Sequence, residues 1–325
     1  MNFHIPASGA ADSALRFVSS STRDRLDDLI FRIHGLDRHT TNLSILKYYD
    51  FQGFLVTAQN SGTHWIKWML SHALAHRYGV EPPRYFNNDS SNDLIGHPKH
   101  ERLHPHLPRI ASSHSIPPYA LDWAWLRAVR RPPPYVVVIR DLRETLVSNY
   151  EKWRGQYGVP FSRYVLGDPG GRAFRTDVWW YMRFLNRWGD IAQRYPEETL
   201  VLRYEDFRRD PLESLGRMAR HFSLDLSDAD LLTGVAVGSK EHMLAHQDPS
   251  IVERPIRPDG ARGARFTPRD LVALRRLLDR NLRHDFGYGY LDELRGYQLP
   301  PLVQASASPS HRVERERAPP LSSAA

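Results

Sequence analysis

Short, mostly apolar runs along the middle of the chain predict the strands of a buried sheet. They cover residues 54–57 (FLVT), 109–112 (RIAS), 135–139 (YVVVI) and 199–202 (TLVL). Continuous rather than alternating runs are typical of parallel strands that are buried on both faces. Because helical patterns lie between the runs, the sequence predicts a single α/β domain with a central parallel sheet flanked by helices.

Three of the predicted helices have clear N-terminal signals. Asp141, Asp210 and Thr267 each stand at a predicted N-cap, and each is followed three residues later by Glu or Asp. This spacing is typical of a capping box, and proline follows two of the three caps. Further helices are predicted at 21–34 and 176–194. The second has an apolar face that we interpret as core packing, formed by Trp180, Phe184, Trp188 and Ile191.

The pattern divides the chain into three regions. Residues 1–50 form a helical or irregular lead-in, residues 51–295 form the folded domain, and residues 296–325 are rich in Pro, Ser and Ala. We expect this last region to be disordered, because it has too few apolar residues to pack.

Composition narrows the class of protein. The chain has 325 residues, of which 41% are hydrophobic and 25% charged, a mixture typical of globular enzymes. A net charge of +7 favours an anionic ligand but does not choose among nucleotide, nucleic acid and lipid. There are no cysteines, which excludes disulfides, a thiol nucleophile and a cysteine zinc site.

The N-terminal sequence indicates where the protein acts. It lacks a basic segment followed by an apolar run, so we expect no signal peptide. No apolar stretch approaches the length that a membrane-spanning helix needs. The expected location is therefore cytoplasmic.

The first predicted strand leads directly into Ala58-Gln59-Asn60-Ser61-Gly62-Thr63-His64-Trp65 and then into an amphipathic helix. A strand, a tight loop and a helix start bring backbone N–H groups together, and the helix dipole favours an anion there. The arrangement is P-loop-like. The nucleoside-triphosphate motif G-x-x-x-x-G-K-[ST] is absent, and the alternative is an ordinary turn.

Polar residues also follow the other predicted strands. His114 follows the second strand, Arg140 ends the third, and Tyr204 follows the fourth. Ser148 lies two turns into the helix after Arg140, so the two side chains can grip one phosphate. Open α/β sheets bind ligands at the carboxyl ends of their strands, and these residues all fall there.

In this order, the segments resemble those of the sulfotransferases that use 3′-phosphoadenosine-5′-phosphosulfate (PAPS). TAQNSGTHW at 57–65 resembles the family's 5′-phosphosulfate loop T-Y-P-K-S-G-T-T-W, and RDLRETLVS at 140–148 resembles its 3′-phosphate motif R-D-P-R-D-x-x-x-S. Tyr204-Glu205-Asp206 with Asp210-Pro211 is similar to Y-E-D-x-x-x-D-P. PRIASSH at 108–114 resembles the strand that presents the family's catalytic histidine. Together the segments lie within 54–290.

The resemblance implies an activity, a co-substrate and a site. The activity is transfer of a sulfonate group from PAPS to a hydroxyl or amine of a small-molecule acceptor, with His114 as general base. The nucleotide would be held by Asn60, Ser61, Gly62, Thr63, His64, Trp65, Arg140, Ser148 and Tyr204. In that set, Trp65 packs on the adenine, while Arg140 and Ser148 hold the 3′-phosphate. A late Arg-Lys-Gly segment of the family corresponds here to a region with Arg257 or Arg262.

The sequence departs from the family at two lysines. Asn60 stands where the loop lysine is usual, and Ser112 stands where a second lysine precedes the histidine by two residues. In the family the loop lysine stabilises charge on the bridging oxygen. Charge develops on the departing phosphate as the S–O bond breaks, so the loss of a cation there lowers the expected rate. A protonated His64 is one possible substitute for this charge, and Lys67 is a poorer one.

Four other interpretations stay open. The departures fit a nucleotide-binding pseudoenzyme of the same fold. A small-molecule kinase needs a P-loop lysine and a magnesium-binding carboxylate, and only Glu205-Asp206 is available. A nucleic-acid-binding protein would rest on charge alone, so we expect none to bind. A metal site could use His97, His100, His104 and His106, but no carboxylate pattern accompanies them, so we expect no metal. The sequence does not predict the acceptor's identity or the oligomeric state.

Overall fold

The structure, a computed structural model, describes residues 20–40, 51–86, 89–96, 101, 103–129, 131–251 and 265–290. It has five strands: β1 (Gly53–Thr57), β2 (Ile95–Gly96), β3 (Ile110–Ser113), β4 (Tyr135–Ile139) and β5 (Thr199–Arg203). They form one sheet in the order β2–β3–β1–β4–β5, and every neighbouring pair is parallel. The predicted parallel α/β fold is thereby confirmed.

The four predicted strands match β1, β3, β4 and β5 to within one residue at either end. The sequence missed β2, which pairs Ile95 and Gly96 with the start of β3 at the sheet edge. A two-residue strand is too short to produce a recognisable pattern of apolar positions.

The helices lie before, between and after the strands. They are α1 (Ser20–Thr40), α2 (Thr63–Tyr78), α3 (Ala124–Val129), α4 (Leu142–Tyr157), α5 (Phe161–Leu166), α6 (Val178–Arg194), α7 (Tyr204–Arg209), α8 (Pro211–His221), α9 (Asp228–Ala236), α10 (Lys240–Ala245) and α11 (Pro268–Asn281). Short 3₁₀ turns occupy Asp89–Asp93 and Tyr119–Asp122.

Apolar cores cover both faces of the sheet. On one face, Phe54 and Val56 of β1 pack with residues of α4, α6 and α11. On the other face, Leu55 packs with residues of α2, α8 and α9. Alternate side chains of a strand point to opposite faces, so a strand buried on both sides must be apolar throughout. This explains the continuous runs in the sequence.

The three predicted capping boxes form to different extents. The Thr267 hydroxyl and the Asp270 carboxylate cap each other's backbone, as predicted for α11. At α8 the Asp210 carboxylate accepts from the Glu213 N–H, with Pro211 in the first turn. The reciprocal contact predicted for Glu213 is wrong, because the Asp210 N–H donates to the Asp206 carbonyl oxygen at 2.8 Å and Glu213 pairs with Arg220. At α4 the Asp141 carboxylate accepts from the Arg143 N–H.

The reciprocal contact predicted for Glu144 is wrong. The Asp141 N–H donates instead to Glu205 Oε1, 3.2 Å away, and Glu144 lies 3.4 Å from Arg140. Arg140 pairs with the Glu144 carboxylate, and Glu205 in the first turn of α7 accepts from the Asp141 N–H in its place. The cap therefore ties α4 to the segment that follows β5.

The core face predicted for the aromatic helix α6 is confirmed for Phe184, Trp188 and Ile191, which are buried. The fourth predicted residue, Trp180, is half-buried and packs against the same core. The N-terminal helix α1 is longer than the predicted 21–34. Its Phe31 ring lies 5.1 Å from the Trp179 ring of α6. Its acidic side chains Asp24 and Asp28 form ion pairs with Arg280 of α11.

Every helix in the described ranges is too short or too polar to cross a membrane. The cytoplasmic location and the division at residues 50 and 295 stay predictions. The segment 296–325 lies outside the described residues.

Candidate functional site

The carboxyl ends of the parallel strands bring the predicted site residues to one edge of the sheet. Val56, next to the end of β1, is in register with Ser113 of β3 and Val137 of β4. Arg140 follows β4, and Tyr204 follows β5. Four segments that are distant in sequence therefore face one region, as open parallel sheets require.

The loop between β1 and α2 has an unusual backbone. Asn60 has φ 60° and Gly62 has φ 84°, both in the left-handed region. Asn and Gly are the residues that adopt this region most readily. A Cβ at Gly62 would lie 2.5 Å from the Tyr204 ring, so glycine is also required by the close approach of Tyr204. Gly62 is the N-cap of α2 and has no side chain to occupy the first N–H groups of that helix.

The Ser61 hydroxyl is the group in this loop that best fits an anionic ligand. Ser61 is fully buried, and no hydrogen-bond partner for its Oγ lies among the residues that the structure describes. Buried hydroxyls normally have a partner, so an unpaired one beside a helix N-terminus fits an oxygen of a bound phosphate or sulfate.

Arg140 lies between the loop and β5. Its Nη1 donates to the Asn60 carbonyl oxygen at 3.1 Å, and its guanidinium lies 4.6 Å from the centre of the Tyr204 ring. The side chain is 13% exposed. It is thus a fixed cation beside the loop, with Glu144 as its counter-ion at 3.4 Å. Ser148 is half-buried on α4, two turns beyond Arg140.

His114 follows β3 and contacts the last residue of β1. Its Nδ1 lies 2.8 Å from the Thr57 carbonyl oxygen and 3.1 Å from the Thr57 hydroxyl. The same hydroxyl lies 2.6 Å from that of Thr63 at the start of α2. Because the carbonyl oxygen can only accept, the contact assigns the proton to Nδ1 and leaves the Nε2 lone pair available.

The surroundings of His114 keep the imidazole neutral. Burial lowers its pKa most, the hydrogen bond to Thr57 raises it, and the positive charges of Lys67 and Lys152 lower it further. A neutral imidazole with an available Nε2 can accept a proton, which is what a general base must do.

Trp65 and Tyr204 form the aromatic part of the site. The two rings meet edge to face with centroids 5.7 Å apart. The Trp65 indole N–H donates to the Gly238 carbonyl oxygen at 2.8 Å, in the turn between α9 and α10. Both the indole and the phenol ring are half-buried, so part of each ring is accessible to a ligand.

The two side chains considered as substitutes for the missing lysine lie in different surroundings. His64 is exposed, and its ring meets Phe86 with centroids 6.4 Å apart. Lys67 is buried, and its ammonium group donates to the Asn92 side chain. Ser112 is half-buried in β3, and Arg257 and Arg262 lie outside the described residues.

Three further residues that touch the loop or the base were not identified from the sequence. Thr57 holds His114, while Asn149 of α4 and Tyr181 of α6 hold the Asn60 amide. Thr57 could have been recognised from its position at the end of a strand. Asn149 and Tyr181 carry no motif, and only the packing of α4 and α6 brings them to the loop.

The four histidines considered as an alternative metal site lie only partly within the described residues. His104 and His106 have ring centroids 6.1 Å apart, and His97 and His100 lie outside the described residues. Across the described ranges, no three His, Asp or Glu side chains are arranged to hold a metal ion.

Residues 50–247 match the sulfotransferase domain family. A mouse sulfotransferase, SULT7A1 complexed with PAP, is 17% identical with a TM-score of 0.45, covering 76% of this chain and 91% of its own. A sulfotransferase from Alicyclobacillus acidocaldarius is 14% identical with a TM-score of 0.41, covering 77% and 97%.

Retinol dehydratase, in a complex with retinol and PAP, is 16% identical with a TM-score of 0.40, covering 61% of this chain and 68% of its own. No curated protein matches. Because the family match spans more than half of the chain, the resemblance read from the motifs is confirmed, and the protein belongs to the sulfotransferase domain family.

Proposed function

We propose that the protein transfers a sulfonate group from PAPS to a hydroxyl or amine of a small-molecule acceptor, with His114 as general base. The observation that carries the proposal is the contact of His114 Nδ1 with the Thr57 carbonyl oxygen at 2.8 Å. It leaves Nε2 free of that contact, at the same sheet edge as the loop with the unpaired Ser61 hydroxyl.

The loop and α2 would hold the 5′-phosphosulfate. The Ser61 hydroxyl and the N–H groups of Gly62, Thr63 and His64 are donors fixed before the ligand arrives. Donors that need no reorganisation stabilise charge more effectively than mobile ones. Charge grows on the departing phosphate in the transition state, so these groups act where the charge appears.

The other end of the nucleotide would lie along β4 and β5. Arg140 supplies a cation and Ser148 a hydroxyl for the 3′-phosphate, while Trp65 and Tyr204 supply rings for the adenosine. Arg140 is anchored by the Asn60 carbonyl, so the two phosphate sites are connected through one residue.

The step at His114 is a proton transfer coupled to group transfer. Nε2 takes the proton of the acceptor O–H or N–H while the acceptor atom bonds to sulfur and the bond from sulfur to the bridging oxygen breaks. The bond electrons leave with the phosphate, giving adenosine-3′,5′-bisphosphate. Because the pKa of His114 is lowered, the imidazole is neutral and ready at neutral pH.

A nucleotide-binding protein without turnover is the second candidate. Asn60 stands at the position of the loop lysine, and its amide donates to Asn149 and Tyr181 rather than extending as a cation. Loss of that cation removes transition-state stabilisation but leaves the nucleotide contacts intact.

Calorimetry and a transfer assay separate the two candidates. Titration with adenosine-3′,5′-bisphosphate should give nanomolar to micromolar binding, with adenosine-5′-phosphate much weaker. Absence of binding at millimolar concentration would exclude both. Binding together with sulfonate transfer to any member of a broad panel of alcohols, phenols and amines supports the enzyme, and binding without transfer supports the second candidate.

A further inference from the structure

Behind the loop lies a cluster of polar side chains buried in the core. The Asn149 amide nitrogen lies 2.7 Å from the Thr176 carbonyl oxygen, 2.8 Å from the Tyr164 hydroxyl and 3.0 Å from the Tyr157 hydroxyl. The Thr176 hydroxyl donates to Asn149 Oδ1 at 2.9 Å. A buried amide with several partners has one fixed orientation, because each alternative leaves polar groups unpaired.

Two side chains connect this cluster to the loop. The Asn60 amide nitrogen lies 3.2 Å from Asn149 Oδ1 and 3.4 Å from the Tyr181 hydroxyl oxygen. The Tyr181 hydroxyl donates to the Gln59 carbonyl oxygen at 2.9 Å. Both residues that precede Ser61 are therefore held from the core side.

The orientation of Asn60 has a consequence for its part in the site. The hydrogens of its side-chain amide are directed to Asn149 and Tyr181. Its backbone carbonyl oxygen accepts from Arg140. Its backbone has φ 60°, a left-handed conformation that strains a non-glycine residue unless other contacts compensate. The contacts to the core cluster supply that compensation.

We infer that Asn149 and Tyr181 are positioning residues that hold Gln59 and Asn60, and through them the loop, in the conformation that binds the anion. The inference rests on the proposed function, because it concerns the loop that would hold the phosphosulfate. In this arrangement Asn60 anchors the loop rather than replacing the missing lysine at the leaving group.

The protonation state of Tyr181 is consistent with this positioning role. Burial raises its pKa above the ordinary value for tyrosine, so the hydroxyl stays protonated at neutral pH. It is thus a constant donor to the Gln59 carbonyl. Donors and acceptors fixed before binding reduce the ordering that the ligand must otherwise cause.

The test compares two conservative variants of the full-length chain. Tyr181→Phe removes the hydroxyl that contacts the loop at Gln59. Tyr157→Phe removes a hydroxyl that contacts Asn149 in the core cluster but does not contact the loop. Each variant loses one hydroxyl from the core, of a half-buried residue at Tyr157 and of a buried one at Tyr181. Tyr157→Phe therefore controls for the general effect of removing a hydroxyl from the core. Calorimetry measures affinity for adenosine-3′,5′-bisphosphate, and hydrogen exchange of residues 58–65 measures the loop in the free protein.

We expect Tyr181→Phe to weaken binding about tenfold and to speed exchange of the loop amides, as loss of a hydrogen bond to a strained segment should. Tyr157→Phe should keep both within about twofold. Equal effects of the two variants on the loop would overturn the inference. So would an unchanged loop in Tyr181→Phe.

Asn60→Gly is a second variant, which keeps the left-handed backbone accessible while removing the amide. It should increase loop exchange in the same way, and unaltered exchange would contradict the inference. If the wild type does not bind the bisphosphate, the proposed function fails. The exchange measurements in the free protein still decide whether Asn149 and Tyr181 hold the loop.

Discussion

At the end of β1 the proposed chemistry rests on backbone groups and small side chains, whereas at the end of β3 it rests on one imidazole. The β1 loop needs support from α4, α6 and Tyr204 of α7, because two of its residues are left-handed and its donors are backbone N–H groups and short side chains. His114 needs only two contacts to Thr57. Changes in the loop should therefore affect binding, and changes at His114 should affect turnover alone.

The largest expected effect concerns His114. His114→Asn places an amide where it can still donate to the Thr57 carbonyl but removes the lone pair that accepts the proton. Turnover should fall about 10²–10⁴-fold, the usual contribution of a general base. Affinity for adenosine-3′,5′-bisphosphate should stay near wild type.

Steady-state kinetics and calorimetry on the same preparations check this expectation, with the exposed His106→Ala as control. If nucleotide affinity falls together with turnover, His114 is structural, and the division between the two strand ends is wrong.

Arg140→Ala should affect the nucleotide side. Loss of a charge-assisted contact to phosphate should weaken binding of adenosine-3′,5′-bisphosphate by about 2–4 kcal/mol. Arg154→Ala, on α4 and 64% exposed, is the control. The difference in affinity between the bisphosphate and adenosine-5′-phosphate should disappear in Arg140→Ala. If that difference persists, Arg140 does not hold the 3′-phosphate.

The two ends of α2 allow a matched test of Gly62. Gly62 and Gly79 are both left-handed, but a Cβ at Gly79 meets nothing within 4 Å, while one at Gly62 meets the Tyr204 ring. Both Gly→Ala variants should lose about 1–2 kcal/mol of unfolding free energy from backbone strain. Gly62→Ala should lose more, and it alone should bind nucleotide less tightly.

Urea unfolding measures the stability of the two glycine variants, and calorimetry measures their affinity for adenosine-3′,5′-bisphosphate. Equal losses of stability in the two variants would show that the Tyr204 ring moves aside readily. The loop after β1 would then be less constrained by its neighbours than we expect.

The smallest effect is expected in the pH dependence. His114 has a lowered pKa, so it loses its neutral form only as pH falls below about 6.5, the ordinary value for histidine. The rate should thus be flat from about pH 6.5 to 8 and fall on the acid side. A His64 cation at the leaving group would instead make the rate fall as pH rises through about 6–7.5.

The pH–rate profiles of the wild type and of His64→Asn distinguish these two opposite pH dependences. A fall above neutrality that disappears in His64→Asn would assign the missing charge to His64. A flat profile in both proteins leaves the backbone donors of the loop to stabilise the leaving group.

The sequence predicted the parts of the molecule whose causes are local. Buried strands need continuous apolar runs, so β1 and β4 were recognisable, and Asp141 was recognisable as a cap. Glu205 was not, because its contact with the Asp141 N–H joins residues 64 positions apart.

The site divides in the same way. Strand ends and the family motifs indicated His114 and Arg140, but not the contact between Arg140 and the Asn60 carbonyl oxygen. The direction of the Asn60 amide depends on Asn149 and Tyr181, which belong to helices whose packing no short pattern encodes. Such contacts follow from the assembled core.

The Tyr204 ring also bears on the order in which the protein becomes competent during synthesis. It touches Trp65, faces the Arg140 guanidinium and approaches Gly62, yet it follows the last strand of the sheet. A nascent chain that has emerged only as far as β4 already contains the loop and Arg140 but not the ring between them. Domains fold as their segments become available, so nucleotide recognition should appear late, only once β5 has joined the sheet edge.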